Sequence, residues 1–492
     1  MHSNSKHKIL GAFVWMFSTA IGQYFCQFLT LVILARLLTP SDFGVVSAAA
    51  VLLSFLKIFS EIGVGPAIVQ REVLSNRDIR TAKTLSFILA LLLCGLMMFL
   101  AQPVSAFFSM PELKDVLQCM AFLLPIGSLS VVGMSLMQRE MDFKKISLIN
   151  LFSYMLGYFV VATPMAFMGF GIWSLVCAYL IQSLSQTLFV LLIVRRAPGY
   201  SFDLASSKSM LHYGVGISLS RTGNFFANQI DNIIVGRYMG AEALGLYGRA
   251  YQLMIMPAML VGGIVEKILF PVMSEAQNRS NELSDIFVRS LGLVIMLVLP
   301  VSVLISVLAE EIVWVLLGEQ WVAISYALRI LAISLVFRIS YKICEPLVHA
   351  KSAVYGRAWR EFLYAAFVLV GCWLGHYWGI TGVAFGVAAA VFFHFILMMN
   401  LSCKVLDFSM RCLVGKLLRF SCLSLVVGVL LYLIKYTFLI LGFSHIVILT
   451  ACVLFFILVV LVLFFWTPDL LGDEGRLIKS TIGSRFKKKT AI

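Results

Sequence analysis

A chain of 492 residues in which 61% are hydrophobic and 13% charged carries more apolar surface than a soluble core of that length can hide. A helix crosses the hydrocarbon with about 20 mostly apolar residues, so the composition predicts a polytopic all-α membrane protein. The net charge of +14 does not point to nucleic acid, because the basic residues lie in short loops between hydrophobic runs and build no basic domain.

Lys6 and Lys8 precede an apolar run that continues to Ala35 with no A-x-A-type cleavage site, which reads as an uncleaved first span. Segments of spanning length follow near 43–66, 84–102, 117–137, 147–168, 172–194, 214–235, 245–265, 287–309, 323–343, 361–378, 382–402, 418–438 and 444–466, about fourteen in all. No connecting loop exceeds about 30 residues, so neither face carries a soluble domain. Lysines and arginines crowd the loops on the side of the N-terminus, while the opposite loops hold only Arg36, Lys114, Arg237 and Lys435. By the positive-inside rule both termini are expected in the cytoplasm, and the tail RFKKK reads most simply as a cytoplasmic retention signal, with specific lipid binding as the alternative. The ten cysteines are scattered singly and without a C-x-x-C pair, as apolar packing residues are.

A shift of 201 residues lays Gly22 on Gly223, Gln23 on Asn224, Gln27 on Asn228, Arg36 on Arg237 and Gly44 on Gly245. The turns ARLLTPSDFG and GRYMGAEALG then match in length and punctuation. An even number of spans per repeat gives the two halves the same orientation, related by an axis along the membrane normal. The expected organisation is a six-helix lobe over 1–205, a second over 206–403, two further spans over 404–470 and a basic tail over 471–492. Substrate is expected between the halves, with spans one and seven facing it.

The seventh span begins as an apolar segment yet carries Arg221, Asn224, Asn228, Asp231 and Asn232 on one stripe, since positions 3, 7, 10 and 11 residues on fall within an arc of roughly 100°. Intramembrane charge avoids lipid, so this face should line a polar interior. Thr19, Gln23, Gln27 and Thr30 share a face of span one, and Ser47, Ser54, Lys57 and Glu61 a face of span two, with Lys57 and Glu61 spaced for an ion pair. Arg249 and Arg329 add charge from the second half. Four intramembrane cations against Glu61 and Asp231 favour an anionic ligand.

The run LARLLTPSDFGVVSAAAVLL with EIGVGPAIVQRE, and later DNIIVGRYMGAEALGLYGRAYQL, LFPVMSEAQ and LLGEQW, resembles the polysaccharide-export flippases of the multidrug, oligosaccharidyl-lipid and polysaccharide exporter superfamily. Within it the chain is most similar to the colanic-acid and exopolysaccharide branch. The resemblance covers roughly residues 8–420. It implies a V-shaped pair of six-helix lobes in a bacterial inner membrane and no enzymatic activity. It also implies alternating access that moves an undecaprenyl-pyrophosphate-linked oligosaccharide outward for exopolysaccharide or O-antigen assembly. Membrane lipids, a polysaccharide polymerase and a chain-length regulator stand as further partners. No cofactor is expected; Asp231 and Glu61 are the candidates for coupling to protons or sodium. Related peptidoglycan-precursor flippases carry arginines on the first span, where this chain has Gln23 and Gln27, so those roles are not inherited.

Each candidate has a plainer reading. Arg221 suits a pyrophosphate or a structural partner; Asp231, ten residues on and about 15 Å along an ideal helix, lies too far to be that partner. Asn224, Asn228 and Asn232 suit sugar hydroxyls or interhelical hydrogen bonds. Lys57 with Glu61 reads as a relay or a structural pair, and Arg249 and Arg329 as ligands or snorkelling residues. Tyr247, Tyr251, Trp314 and Trp321 read as interface anchors rather than sugar platforms. Two other functions compete: a drug exporter, which predicts a net acidic cavity, and a polymerase, which needs acids on the outer loops, where Glu112, Asp115, Glu310, Glu311 and Glu319 are available.

Overall fold

The computed structural model describes residues 22–465 apart from 62, 195–198, 352–353, 407 and 409. Lys6, Lys8, Thr19, Arg195, Arg196 and the basic tail lie outside the described residues. Among the described residues the chain is helical with no strand. It forms α1 (Gly22–Leu37), α2 (Pro40–Glu61), α3 (Val64–Gln70), α4 (Asn76–Phe108), α5 (Leu113–Ala121), α6 (Leu123–Arg139), α7 (Phe143–Met155), α8 (Thr163–Phe167) and α9 (Ile172–Ile193). These are followed by α10 (Leu204–Glu275), α11 (Ser280–Val307), α12 (Ala309–Leu316), α13 (Ser325–Lys342), α14 (Cys344–Ala350), α15 (Val354–Gly375), α16 (Gly379–Leu406), α17 (Met410–Ile440) and α18 (His445–Phe465).

Among the described residues ten helical stretches are long and apolar enough to cross a membrane, which makes this a multi-pass membrane protein. One of the ten, Gly356–Leu406, holds two of the expected spans, folded back at the short turn His376–Trp378. Spans seven and eight fall together in the 72 residues of α10, whose one non-helical residue is Gly240 (φ 85°, ψ −175°). Pro257 lies inside α10 and Pro300 inside α11, where each leaves one ladder hydrogen bond unmade without ending the helix. Between α7 and α8 the helix widens to a π-type stretch, Leu156–Ala162; Pro164 just beyond has no N–H to close the regular ladder.

The chain packs as two compact units, one ending at Gly248 and the other beginning at Arg249. The first unit includes the leading part of α10. Its helix ends on the side of the basic loops are tied by side chains. Ser75 and Asp78 form a reciprocal cap on α4, and Asp78 also takes 2.8 Å contacts from Arg71 and from the Ser206 hydroxyl. Arg139 donates to the carbonyls of Ile68 and Glu72, satisfying the exposed end of α3. Asp203 precedes α10, accepts from the Ser206 amide at 3.1 Å and pairs with Arg77 at 2.8 Å. Hydrogen bonds from Ser206, and then the Arg77 charge, hold the Asp203 carboxyl below its ordinary value.

Two glycines that the 201-residue shift pairs make a reciprocal backbone contact. A Cβ on Gly44 would lie 1.7 Å from the Ala241 carbonyl oxygen, and a Cβ on Gly245 would lie 1.8 Å from that of Pro40. The shift of 201 residues relates both pairs, so each half supplies a glycine to the other half's carbonyl. Only glycine permits so close an approach.

Candidate functional site

The first unit carries an open-sided cavity of about 700 Å³, within the range of small-molecule sites. Its walls come from α2, α3, α6, α9 and α10. Lys57 and Glu61 on the last turns of α2 and Arg221 on α10 supply its charge. Ser60, Ser128, Ser135, Gln138, Gln182 and Gln186 supply neutral donors and acceptors. Gln186 is oriented by a 2.9 Å hydrogen bond to Asn150.

The charged residues form a triad that the sequence reading had only in part. Lys57 Nζ lies 3.9 Å from Glu61 Oε1, as the i, i+4 spacing predicts. Arg221 Nη1 lies 3.3 Å from Glu61 Oε2, a pairing across 160 residues of sequence. A carboxylate bridging two cations leaves the cavity with a net single positive charge among its lining side chains. The crossing of α10 over the end of α2 fixes the triad. Gly63, in the left-handed region at φ 62°, lies so close to Gly214 that a Cβ would sit 2.4 Å from its Cα. One turn on, the Ser218 hydroxyl donates to the Ile58 carbonyl at 3.3 Å. Phe55 packs against Phe225 and Phe226 in the next layer, with ring centroids 5.2 and 5.9 Å apart.

The other expected site residues are placed elsewhere. Asp231 is buried and accepts from the Tyr247 hydroxyl at 2.8 Å. Asn224 and Asn228 are exposed, and the Asn228 amide donates to the Asn224 carbonyl at 2.8 Å. Asn232 donates to the Gln229 side chain at 2.8 Å. Gln23 and Gln27 are half-buried on α1 and contribute nothing to the cavity wall. In the second unit Arg249 is hydrogen-bonded to Gln252. Arg329 pairs with Glu310 at 3.2 Å and lies over the Tyr326 ring. Tyr247 and Trp321, read as interface anchors, are both fully buried, and Tyr251 accepts a 2.9 Å hydrogen bond from the buried Arg338.

The serine and glutamine wall was missed by the sequence reading, although its signal was available. Ser128, Ser135 and Gln138 recur on one face of span four, and Gln182 with Gln186 on one face of span six. Also missed was a buried ion pair in the second unit. Lys435, counted as an outer-loop residue, lies on α17 with its Nζ 2.8 Å from Glu311 on α12.

The profile of the family described as "Polysaccharide biosynthesis protein" matches residues 33–326. The chain is 28% identical over 321 residues to the succinoglycan biosynthesis transport protein ExoT of Rhizobium meliloti, covering 65% of each. It is 24% identical over 360 residues to the lipopolysaccharide biosynthesis protein WzxC of Escherichia coli, covering 72% of each. The matches to ExoT and to the teichuronic acid biosynthesis protein TuaB of Bacillus subtilis thus span just under two thirds of those relatives' length. Among solved structures, the lipid II flippase MurJ in an inward closed conformation superposes with a TM-score of 0.74 at 16% identity, over 89% of this chain and 97% of that one. An inward-facing multidrug resistance MATE family transporter of the MOP superfamily gives 0.62 at 16%, over 78% and 94%. The fold is therefore of the type shared by those transporters, and the chain belongs to the polysaccharide biosynthesis protein family.

Proposed function

We propose that this protein is a flippase, not an enzyme, that carries an isoprenoid-diphosphate-linked oligosaccharide from the cytoplasmic to the outer leaflet of a bacterial inner membrane by alternating access. The observation that carries the reading is the Lys57–Glu61–Arg221 triad set in a wall of serines and glutamines. Two cations suit a diphosphate, and neutral donors and acceptors suit sugar hydroxyls without demanding one sugar. Relatives named for succinoglycan transport and lipopolysaccharide biosynthesis support the same substrate class. With both termini in the cytoplasm, the cavity lies toward the inner leaflet, because Val69 and Gln138 in its wall adjoin the basic loops after α3 and α6.

The competing readings fit less well. A drug exporter calls for an acidic cavity, whereas this one holds two cations and one carboxylate. A polymerase calls for available outer acids, and of the five named above Glu310 is taken up by Arg329 and Glu311 by Lys435, which leaves Glu112, Asp115 and Glu319 exposed.

The test is made on cells lacking the protein. Isoprenoid-linked oligosaccharides are extracted after intact cells are treated with a membrane-impermeant sugar-modifying reagent. One protected species should accumulate, and the wild-type gene should relieve it. Single repeats exposed to the reagent would mean that translocation is intact, and would move the polymerase reading forward.

A further inference from the structure

Glu61 is out of place as a simple cavity residue. It closes α2, and a carboxylate at a helix C-terminus faces the unpaired carbonyls of the last turn, where negative charge is disfavoured. It stays there because Lys57 and Arg221 flank it. Neither contact is a tight fork: Arg221 engages through one nitrogen at 3.3 Å, and Lys57 stands 3.9 Å away. The two cations are also the more open members, with side chains 64% and 43% exposed against 24% for Glu61. Their backbones are held in register by the Gly63–Gly214 crossing, so the ion pairs can open by side-chain rotation alone.

We propose that Glu61 is a built-in stand-in for the substrate's phosphate, an internal counter-ion that an anionic lipid headgroup must displace from Lys57 and Arg221 to load the site. The inference rests on the reading above that the cavity receives such a headgroup. It assigns Glu61 a role in release rather than capture. Two adjacent cations with no carboxylate between them would hold a diphosphate tightly in every state, and binding that is uniform along the cycle does not speed it. With Glu61 present, departure of the headgroup is repaid at once by re-forming the two ion pairs, and the cations never stand unpaired against each other.

The experiment uses the full chain purified in detergent and farnesyl diphosphate as probe, with Kd measured calorimetrically for wild type, Glu61→Gln, Arg221→Gln and the double variant. Glu61→Gln should bind between about three- and thirtyfold tighter than wild type, the range expected for losing two partly exposed ion pairs. In the Arg221→Gln background the same change should give less than about threefold, because one partner is already gone. Reconstituted in vesicles, Glu61→Gln should translocate more slowly despite binding better. Should Glu61→Gln misfold, Glu61→Ser carries the same expectation. Unchanged or weaker binding by a folded Glu61 variant, with wild type binding and Arg221→Gln impaired, would overturn the counter-ion role and leave the headgroup site standing. Failure of wild type and every variant to bind farnesyl diphosphate would overturn the headgroup site itself, and the counter-ion role with it.

Discussion

Each unit contains a carboxylate between two cations, and the two arrangements behave as opposites. In the first unit Glu61 meets Lys57 and Arg221 at 3.9 and 3.3 Å on the wall of a cavity. In the second, Glu310 lies 3.2 Å from Arg329 and 3.9 Å from Lys435, and Lys435 makes its close contact at 2.8 Å with Glu311, the pair being 8% and 1% exposed. Lys435 also donates to the Val307 carbonyl at 3.3 Å, so α17 is fastened to the junction of α11 and α12. Similar chemistry thus serves two ends. Where the pair is open and loosely made, a ligand can compete for it; where it is closed and tight, separating it leaves a charge with no solvent to turn to.

The largest effect should come from breaking the closed pair. Glu311→Ala leaves the buried Lys435 with only the more distant Glu310 at 3.9 Å, and should cost about 3 kcal/mol and most of the membrane-inserted protein, read as expression level and melting temperature in detergent. Replacing both partners, Lys435→Met with Glu311→Leu, should restore much of that loss. If Glu311→Ala instead accumulates normally and melts as wild type does, the pair is not structural. Next comes Arg221→Ala, which should abolish export of the polymer while membrane levels stay normal; full export would remove Arg221 from the site. Arg329→Ala tests the half-open member of the second cluster and should lower stability by no more than about 1 kcal/mol, with export retained. Smallest of all is the effect at the membrane edge. Asp203 titrates below the ordinary carboxylate value when folded, so its cap on α10 contributes above the unfolded pKa and is lost as pH falls through the folded one. Asp203→Asn should therefore flatten slightly the fall in melting temperature expected of wild type as pH drops through the Asp203 titration, read by melting both proteins in detergent across the acidic range.

Hydropathy made the ten long apolar stretches among the described residues legible, and the shift of 201 residues pairs the two glycines that take part in the reciprocal backbone contact. The lining of the cavity was not, for a physical reason. A stripe on one helix predicts which residues face a polar interior, but not which of several interiors they face. Arg221 and Asn224 share a stripe, yet Arg221 meets Glu61 while Asn224 bonds to Asn228, one turn along its own helix. Asp231 on the same stripe meets Tyr247, beyond the break at Gly240, because the bend brings the following segment of α10 back against it. Partners 124 or 160 residues apart, such as Lys435 with Glu311 and Arg221 with Glu61, leave no trace in local spacing. Neutral residues were undervalued for a different reason: serines and glutamines in apolar spans look like interhelical glue, and only the enclosing geometry distinguishes a wall from a seam.

The paired approach of Gly44 to Ala241 and Gly245 to Pro40 has the form of an isologous contact, the kind a two-fold dimer makes with its own copy. In a chain of half this length, forming such a dimer, one glycine codon would have specified both sides of the junction. In this chain the two glycines are separate codons that mutate separately, so the geometry depends on two independent positions staying glycine. A change at either one harms the same joint, and no change at the other can compensate for it, since the carbonyl that each glycine admits belongs to the backbone and not to a side chain that could be made smaller.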